Sequence, residues 1–328
     1  MSGQRFLLRK GPASAYPSLS FPPAMHRLWH NLDVVALIVD HIRDSIDYSD
    51  DHGDPTGHRS LAALARVCKA VSPVALNSLW HELTDFRPVH ELLRVIATEG
   101  TSELDGSARW DIFDAYASRV RAVRMNSFRD DVTSNVQAAL KQRTPLLPCL
   151  QALSWVCRGT SLQYLPCFAS SMLDTVWLSP TSTWILHDEL RPPLVDLLRG
   201  LSDNSPNLRE LSLIGFIMRT QTESVARDNL QQIASLRALS VLSIDLRFVI
   251  CPEMVQVLAD MPHLRSLYFS SLNEDPPPSR AFAVARAGFD KLACLTLAMS
   301  RGLTEMVLEA LPPCGVTYVR MSTIPHGG

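Results

Sequence analysis

Histidines, carboxylates and thiols are the residues from which this 328-residue chain could build a chemical site, and their spacing argues against each candidate. His26 and His30 stand four apart, so on a helix they would share a face. A metal centre needs more converging ligands than two. Asp50, Asp51, His52 and Asp54 could collect a cation, but they lack the alternating ligand order and terminal glutamate of a calcium loop, and read as a solvated acidic loop. Cys157 could serve as a nucleophile only with a base beside it, and no pattern singles one out. The phosphate-loop, dinucleotide, zinc-protease and nucleophile-elbow motifs are all absent. Only 14 glycines are present, which further disfavours loops that cradle phosphate. The expectation is a protein that is not an enzyme, with no catalytic residue, metal or cofactor.

Composition narrows the class. The net charge is −2, from 31 basic and 33 acidic side chains, so a dedicated nucleic-acid binder with its basic stripe is not expected. The 46% hydrophobic content against 20% charged is that of a folded chain rather than a disordered one. No run of about 18 apolar residues occurs, so no membrane span is expected. The seven cysteines are odd in number, include no Cys-x-x-Cys and sit mostly among apolar neighbours, as buried free thiols in a reducing compartment do. The expected location is cytoplasmic or nuclear. The first 32 residues carry Arg5, Arg9, Lys10 and Arg27 and no acid, but Pro12, Pro17, Pro22 and Pro23 spoil an amphipathic targeting helix. Residues 1–25 therefore read as a flexible leader.

Elements that could position a binding surface follow. Asn31 can cap a helix, with Asp33 in its first turn, and Leu28, Leu32, Val35, Ile38, Val39, Ile42 and Ile46 lay an apolar stripe along it. Residues 47–59 read as a loop broken by Gly53, Pro55 and Gly57. Ser60 is expected to cap a second helix bearing Leu61, Leu64, Val67, Cys68 and Val71. Ser72-Pro73 restarts a third, with Leu76, Leu79, Trp80 and Leu83. Residues 26–85 thus form a three-helix module. Residues 86–115 form linker helices, one running from Val89 to about Ala97.

From residue 116 to 328 a repeat sets the fold. An apolar-x-x-apolar-x-apolar pattern starts at Val120, Leu150, Leu173, Leu208, Leu239, Leu264, Leu292 and Val316, with spacings of 30, 23, 35, 31, 25, 28 and 24 residues. Such periods indicate a stacked α/β solenoid with one short parallel strand plus a helix per turn. Helix-compatible stretches fall between the strands at 132–142, 187–200, 223–236, 252–260, 280–288 and 303–311. Alternate strand residues should point onto one concave surface. That surface is expected to carry Arg124, Asn126, Ser154, Trp177, Ser179, Ser212, Ile214, Ser243, Asp245, Tyr268, Ser270, Thr296, Arg320 and Ser322. Arg124, Trp177, Asp245, Tyr268 and Arg320 are the target-binding candidates, with Trp177 and Tyr268 suited to a protein hot spot.

The stretch His26–Leu83, reading HRLWHNLDVVALIVDHI and then LAALARVCKAVSPVALNSLWHEL, resembles an F-box. An F-box is the helical module that docks onto the adaptor subunit of cullin-RING ubiquitin ligases. With the repeats behind it, the chain looks like the fungal class in which a short F-box precedes degenerate leucine-rich repeats; there chains often begin near a Met-His-Arg, here Met25-His26-Arg27. The resemblance departs from the family at His30-Asn31-Leu32-Asp33, where a typical F-box opens Leu-Pro-x-Glu. It departs again at Phe216, Arg247, Leu272 and Ser300, which stand where the common repeat has Asn or Cys, so irregular curvature is expected. The resemblance implies a substrate receptor of an SCF-type ligase, partnered by the adaptor, the cullin scaffold and a target protein. It implies adaptor binding through Leu32, Val35, Ile38, Leu61, Leu64, Cys68, Val71, Leu79 and Trp80. The alternative is a leucine-repeat scaffold with no link to ubiquitin, its helical module serving only to cap the array.

Overall fold

A computed structural model describes residues 29, 31–46, 55–98, 106–125, 143–157, 159–180, 184–185, 191–217, 223–245, 252–271, 288–310 and 316–322. They fall into two compact units that divide after Leu79.

The first unit is helical. Its α1 spans Leu32–Asp44, and Asn31 caps it as its sequence suggests: the side-chain oxygen accepts the Val34 N–H at 3.4 Å. Asp33 sits in the first turn and Arg43 in the last, each sign matching the helix dipole. Val35 and Val39 point into a small core with Ile46, Leu61, Val71 and Ala75. The second helix, α2, spans Pro55–Leu64, which corrects two expectations. Ser60 lies inside this helix rather than capping it. Gly57 does not break it: a Cβ there would lie 2.4 Å from Cγ1 of Ile46, so the missing side chain lets α1 and α2 approach. Pro55 opens the helix, where its missing N–H is harmless. The third helix, α3, spans Ser72–His81, with Pro73 at its second residue.

The second unit is built on a parallel sheet. Among the described residues its strands are β1 (Glu82–Leu83), β2 (Ala122–Met125), β3 (Ala152–Cys157), β4 (Thr175–Pro180), β6 (Glu210–Leu213), β8 (Val241–Asp245), β9 (Ser266–Ser270), β10 (Cys294–Ala298) and β11 (Tyr318–Ser322). They lie side by side in chain order. All eight leucine-pattern segments are strands of this sheet, and β1 adds a ninth that no pattern announced. Two further strands, β5 (Trp184–Ile185) and β7 (Phe216–Ile217), make a separate two-stranded parallel sheet.

The register is fixed twice over. Leu153, Val176, Leu211, Leu242, Leu267 and Leu295 are direct neighbours across successive strands, and all are buried. Just ahead of the strands runs a ladder in which one backbone carbonyl accepts two N–H groups of the next turn. Arg121 O takes Gln151 N (2.7 Å) and Ala152 N (3.0 Å), and Arg209 O takes Ser240 N (2.8 Å) and Val241 N (2.9 Å). Gln151, Asp174, Ser240, Arg265 and Ala293 do the same for their successors. Each carbonyl takes two backbone N–H groups, and the Ser240 and Thr317 hydroxyls also donate, to Arg209 O and Ala293 O.

Helices lie between the strands: α4 (Arg87–Thr98), α5 (Gly106–Ala117), α6 (Arg191–Asn204), α7 (Glu223–Ala234), α8 (Pro252–Ala259) and α9 (Arg301–Ala310). Leu194, Leu197, Leu198 and Leu201 of α6 and Leu230 and Ile233 of α7 complete the core over the inward strand positions. Between β3 and β4, where the spacing is shortest, a 3₁₀ helix at Gly159–Phe168 replaces an α-helix. Its Phe168 meets the buried Trp155 edge-on, with centroids 5.8 Å apart. The expected helices at 132–142 and 280–288 lie outside the described residues, apart from Gly288. There φ is +130° and an added Cβ would fall 2.8 Å from Ala259 O, so the position demands glycine.

Truncating one member of the inner column tests this packing. Leu211→Ala should lower unfolding free energy by about 2–5 kcal/mol in a denaturant titration, because it leaves a cavity that neighbouring strands cannot collapse into. A change below about 1 kcal/mol would mean that Leu211 is not core.

Candidate protein-binding surfaces

Successive strands place their middle outward residues in one row: Arg124, Ser154, Trp177, Ser212, Ser243, Tyr268, Thr296 and Arg320. At about 4.8 Å between strands, the row runs across the outward face of the sheet, with Ser212 buried in its middle. Arg124, Trp177 and Arg320 are exposed, while Tyr268 is partly buried. Trp177, 44% exposed, is fixed in orientation because its indole N–H donates to Glu210 Oε1 at 2.8 Å. Arg124 lies 2.7 Å from Glu82 Oε1.

Asp245 does not belong on this surface. It ends β8, is fully buried and is engaged within the fold. Ser270, beside it in register, is buried as well. Alternation along the strand therefore delivers an open residue at the middle position but not at the last one of β8 and β9. Asn126 lies outside the described residues.

A second outward row runs one step earlier: Ala122, Ala152, Thr175, Glu210, Val241, Ser266, Cys294 and Tyr318. Sequence reasoning missed it by starting each strand at the second apolar position. Extending the alternation back by two residues recovers Glu210, which orients Trp177, and Tyr318, which is exposed.

In the helical unit the nine adaptor candidates separate. Val35, Leu61 and Val71 are core and hold the helices together, which corrects their reading as a contact surface. Ile38, Leu64 and Leu79 are partly buried, and Leu64 and Leu79 pack against that core. Leu32, 53% exposed, and Cys68 face solvent. Two residues not selected from the sequence join them: Leu37 on the flank of α1 away from Val35 and Val39, and Val67, 50% exposed. Trp80 belongs to the second unit, where its ring lies 4.9 Å from that of Tyr116 and packs against the solenoid core.

Among the described residues, no group of three or more His, Cys, Asp or Glu side chains could hold a metal. No helix there is long and apolar enough to cross a membrane. His26, His30 and the acidic cluster Asp50–Asp54 lie outside the described residues. Cys157 ends β3. Burial pushes the Cys167 thiol up to about 12, against a smaller opposing effect from a backbone hydrogen bond. The thiolate is the nucleophile, so Cys167 is inert at neutral pH.

No protein-family model matches the sequence, and no curated protein matches it either.

The two thiols give a direct check on burial. Iodoacetamide at pH 8 should modify Cys68 in the native chain and reach Cys167 only after unfolding. The sign of the pH effect follows from the same shift. Between pH 9 and about 12 an unfolded Cys167 releases a proton that the folded thiol keeps, so this residue destabilises the fold as pH rises through that window and is neutral below it. Equal labelling of both thiols in the native protein would contradict the packing of the 3₁₀ segment.

Proposed function

We propose that the chain is the substrate-recognition subunit of an SCF-type cullin-RING ubiquitin ligase. Its helical unit docks the adaptor, which links it to the cullin scaffold, and the open face of its sheet holds a target protein. The chain makes and breaks no bond. It raises the effective concentration of a target lysine near the charged conjugating enzyme, which is catalysis by proximity. A ligase component acting this way works in the cytoplasm or nucleus.

One observation carries the reading. Among the described residues, a three-helix unit with a core of six buried side chains leaves Leu32, Leu37, Val67 and Cys68 in solvent, ahead in the chain of a nine-stranded parallel array. Small helical modules gain stability from a partner. The array's outward row carries Arg124, Trp177, Tyr268 and Arg320, residue types enriched at protein interfaces. The missing Leu-Pro-x-Glu opening does not weaken the first helix, since Asn31 supplies its cap.

Pulldown of the full chain with the purified adaptor subunit is the test. The wild type should be retained, and Leu32→Asp with Val67→Asp should reduce retention at least tenfold while circular dichroism stays unchanged, because both side chains are already in solvent. Failure of the wild type to bind would leave the scaffold reading in its place.

A further inference from the structure

We propose that Trp177 and Glu210 form a docking site for a basic side chain, an arginine or lysine, carried by the protein that binds the open face. This deepens the reading of that face as the target-binding surface and rests on it. Trp177 of β4 registers with Ser212 of β6, and Thr175 with Glu210, so Glu210 lies diagonally beside the tryptophan on the neighbouring strand. The indole N–H donates to Oε1 at 2.8 Å, which leaves Oε2 to accept a donor from outside. Among the described residues the indole is the one hydrogen-bond donor to this carboxylate.

Trp177 is 44% exposed. Its neighbours in the row are Ser154 and Ser212, both small. A cation lying over the ring while bonding the carboxylate uses two attractions at once, the ring quadrupole and a charge-assisted hydrogen bond.

Charge favours this occupant over the others. Asp174 adds a second carboxylate beside Thr175, whose hydroxyl it accepts at 3.3 Å. Arg209 lies 3.5 Å from Asp174 as a solvent-exposed pair, which is weak and readily exchanged. Among the described residues, Glu210 and Asp174 against Arg209 give the charges beside Trp177 a negative balance. Arg124, two strands away, is already held by Glu82. An acidic partner would meet repulsion here. A purely apolar one would strip water from Glu210 and return nothing to its second oxygen.

The experiment uses the full chain with ¹⁵N-labelled tryptophan, the Trp177 indole resonance being assigned by its loss in Trp177→Phe. The probes are three capped pentapeptides with alternating glycine and, in turn, arginine, lysine or glutamate. The arginine and lysine peptides should move the Trp177 indole resonance, with the effect shrinking as salt rises, and the glutamate peptide should leave it in place. Glu210→Gln keeps an oxygen for the indole N–H but removes the charge, and should weaken arginine-peptide binding about tenfold. An unmoved resonance at millimolar arginine peptide, an equal response to the glutamate peptide, or full binding by Glu210→Gln would each overturn the proposal. Adaptor retention measured on the same samples separates this outcome from failure of the ligase reading, since it reports on the helical unit alone.

Discussion

The second unit depends on one recurring constraint: from β2 onward, successive turns of chain return to the same backbone position to donate two N–H groups to a single carbonyl of the turn before. Arg121, Gln151, Asp174, Arg209, Ser240, Arg265 and Ala293 are those acceptors. Their side chains have nothing in common, because the contact is made by the backbone. Once the ladder is set, strand direction and register follow. The residue two positions past each acceptor turns inward, which is why Leu153, Val176, Leu211, Leu242, Leu267 and Leu295 stack in a single column.

Parallel stacking with one crossover per turn leaves two unlike faces. Helices α6 and α7 bury the inward positions, while the outward rows keep hydroxyl and aromatic side chains at regular intervals. The irregular spacing of the turns has a local cause in at least one place. Phe216 occupies the position where a regular leucine-rich repeat has Asn or Cys, and here it starts a strand that pairs with Trp184–Ile185 in a second small sheet. At the far end, Val319 and Met321 hold inward positions of β11 yet are exposed, since among the described residues no further strand covers them.

Much of this was legible in the residues. The eight strands were readable because two inward positions per strand, plus the apolar residue before the turn, must be apolar for neighbouring turns to pack. The first helix was readable because Asn31 and Asp33 mark its start chemically. Other features left weaker traces. A two-residue strand such as β1 offers one buried side chain, Leu83, too little for a pattern. Gly57 looks like a breaker in the sequence because its role, close helix approach, appears only when Ile46 is placed beside it, while Pro55 opens its helix as prolines at a first turn do. Asp245 and Trp177 hold equivalent-looking outward positions in the sequence, but one is closed off and the other open, and alternation alone does not distinguish the end of a strand from its middle. Burial likewise separates Leu61 and Val71 from Cys68, three residues that one helical periodicity treats alike.

Cross-linking measures the stacking order most directly. Thr296 and Arg320 are register partners on adjacent strands, whereas Ser243 and Arg320 lie in the same row three strands apart, and none of the three is buried. In a background freed of exposed native thiols, a short bis-methanethiosulfonate reagent should bridge Thr296→Cys with Arg320→Cys rapidly and without loss of helical signal, and should leave Ser243→Cys with Arg320→Cys unbridged. Equal bridging of the two pairs, or bridging of the distant pair alone, would contradict a sheet stacked in chain order.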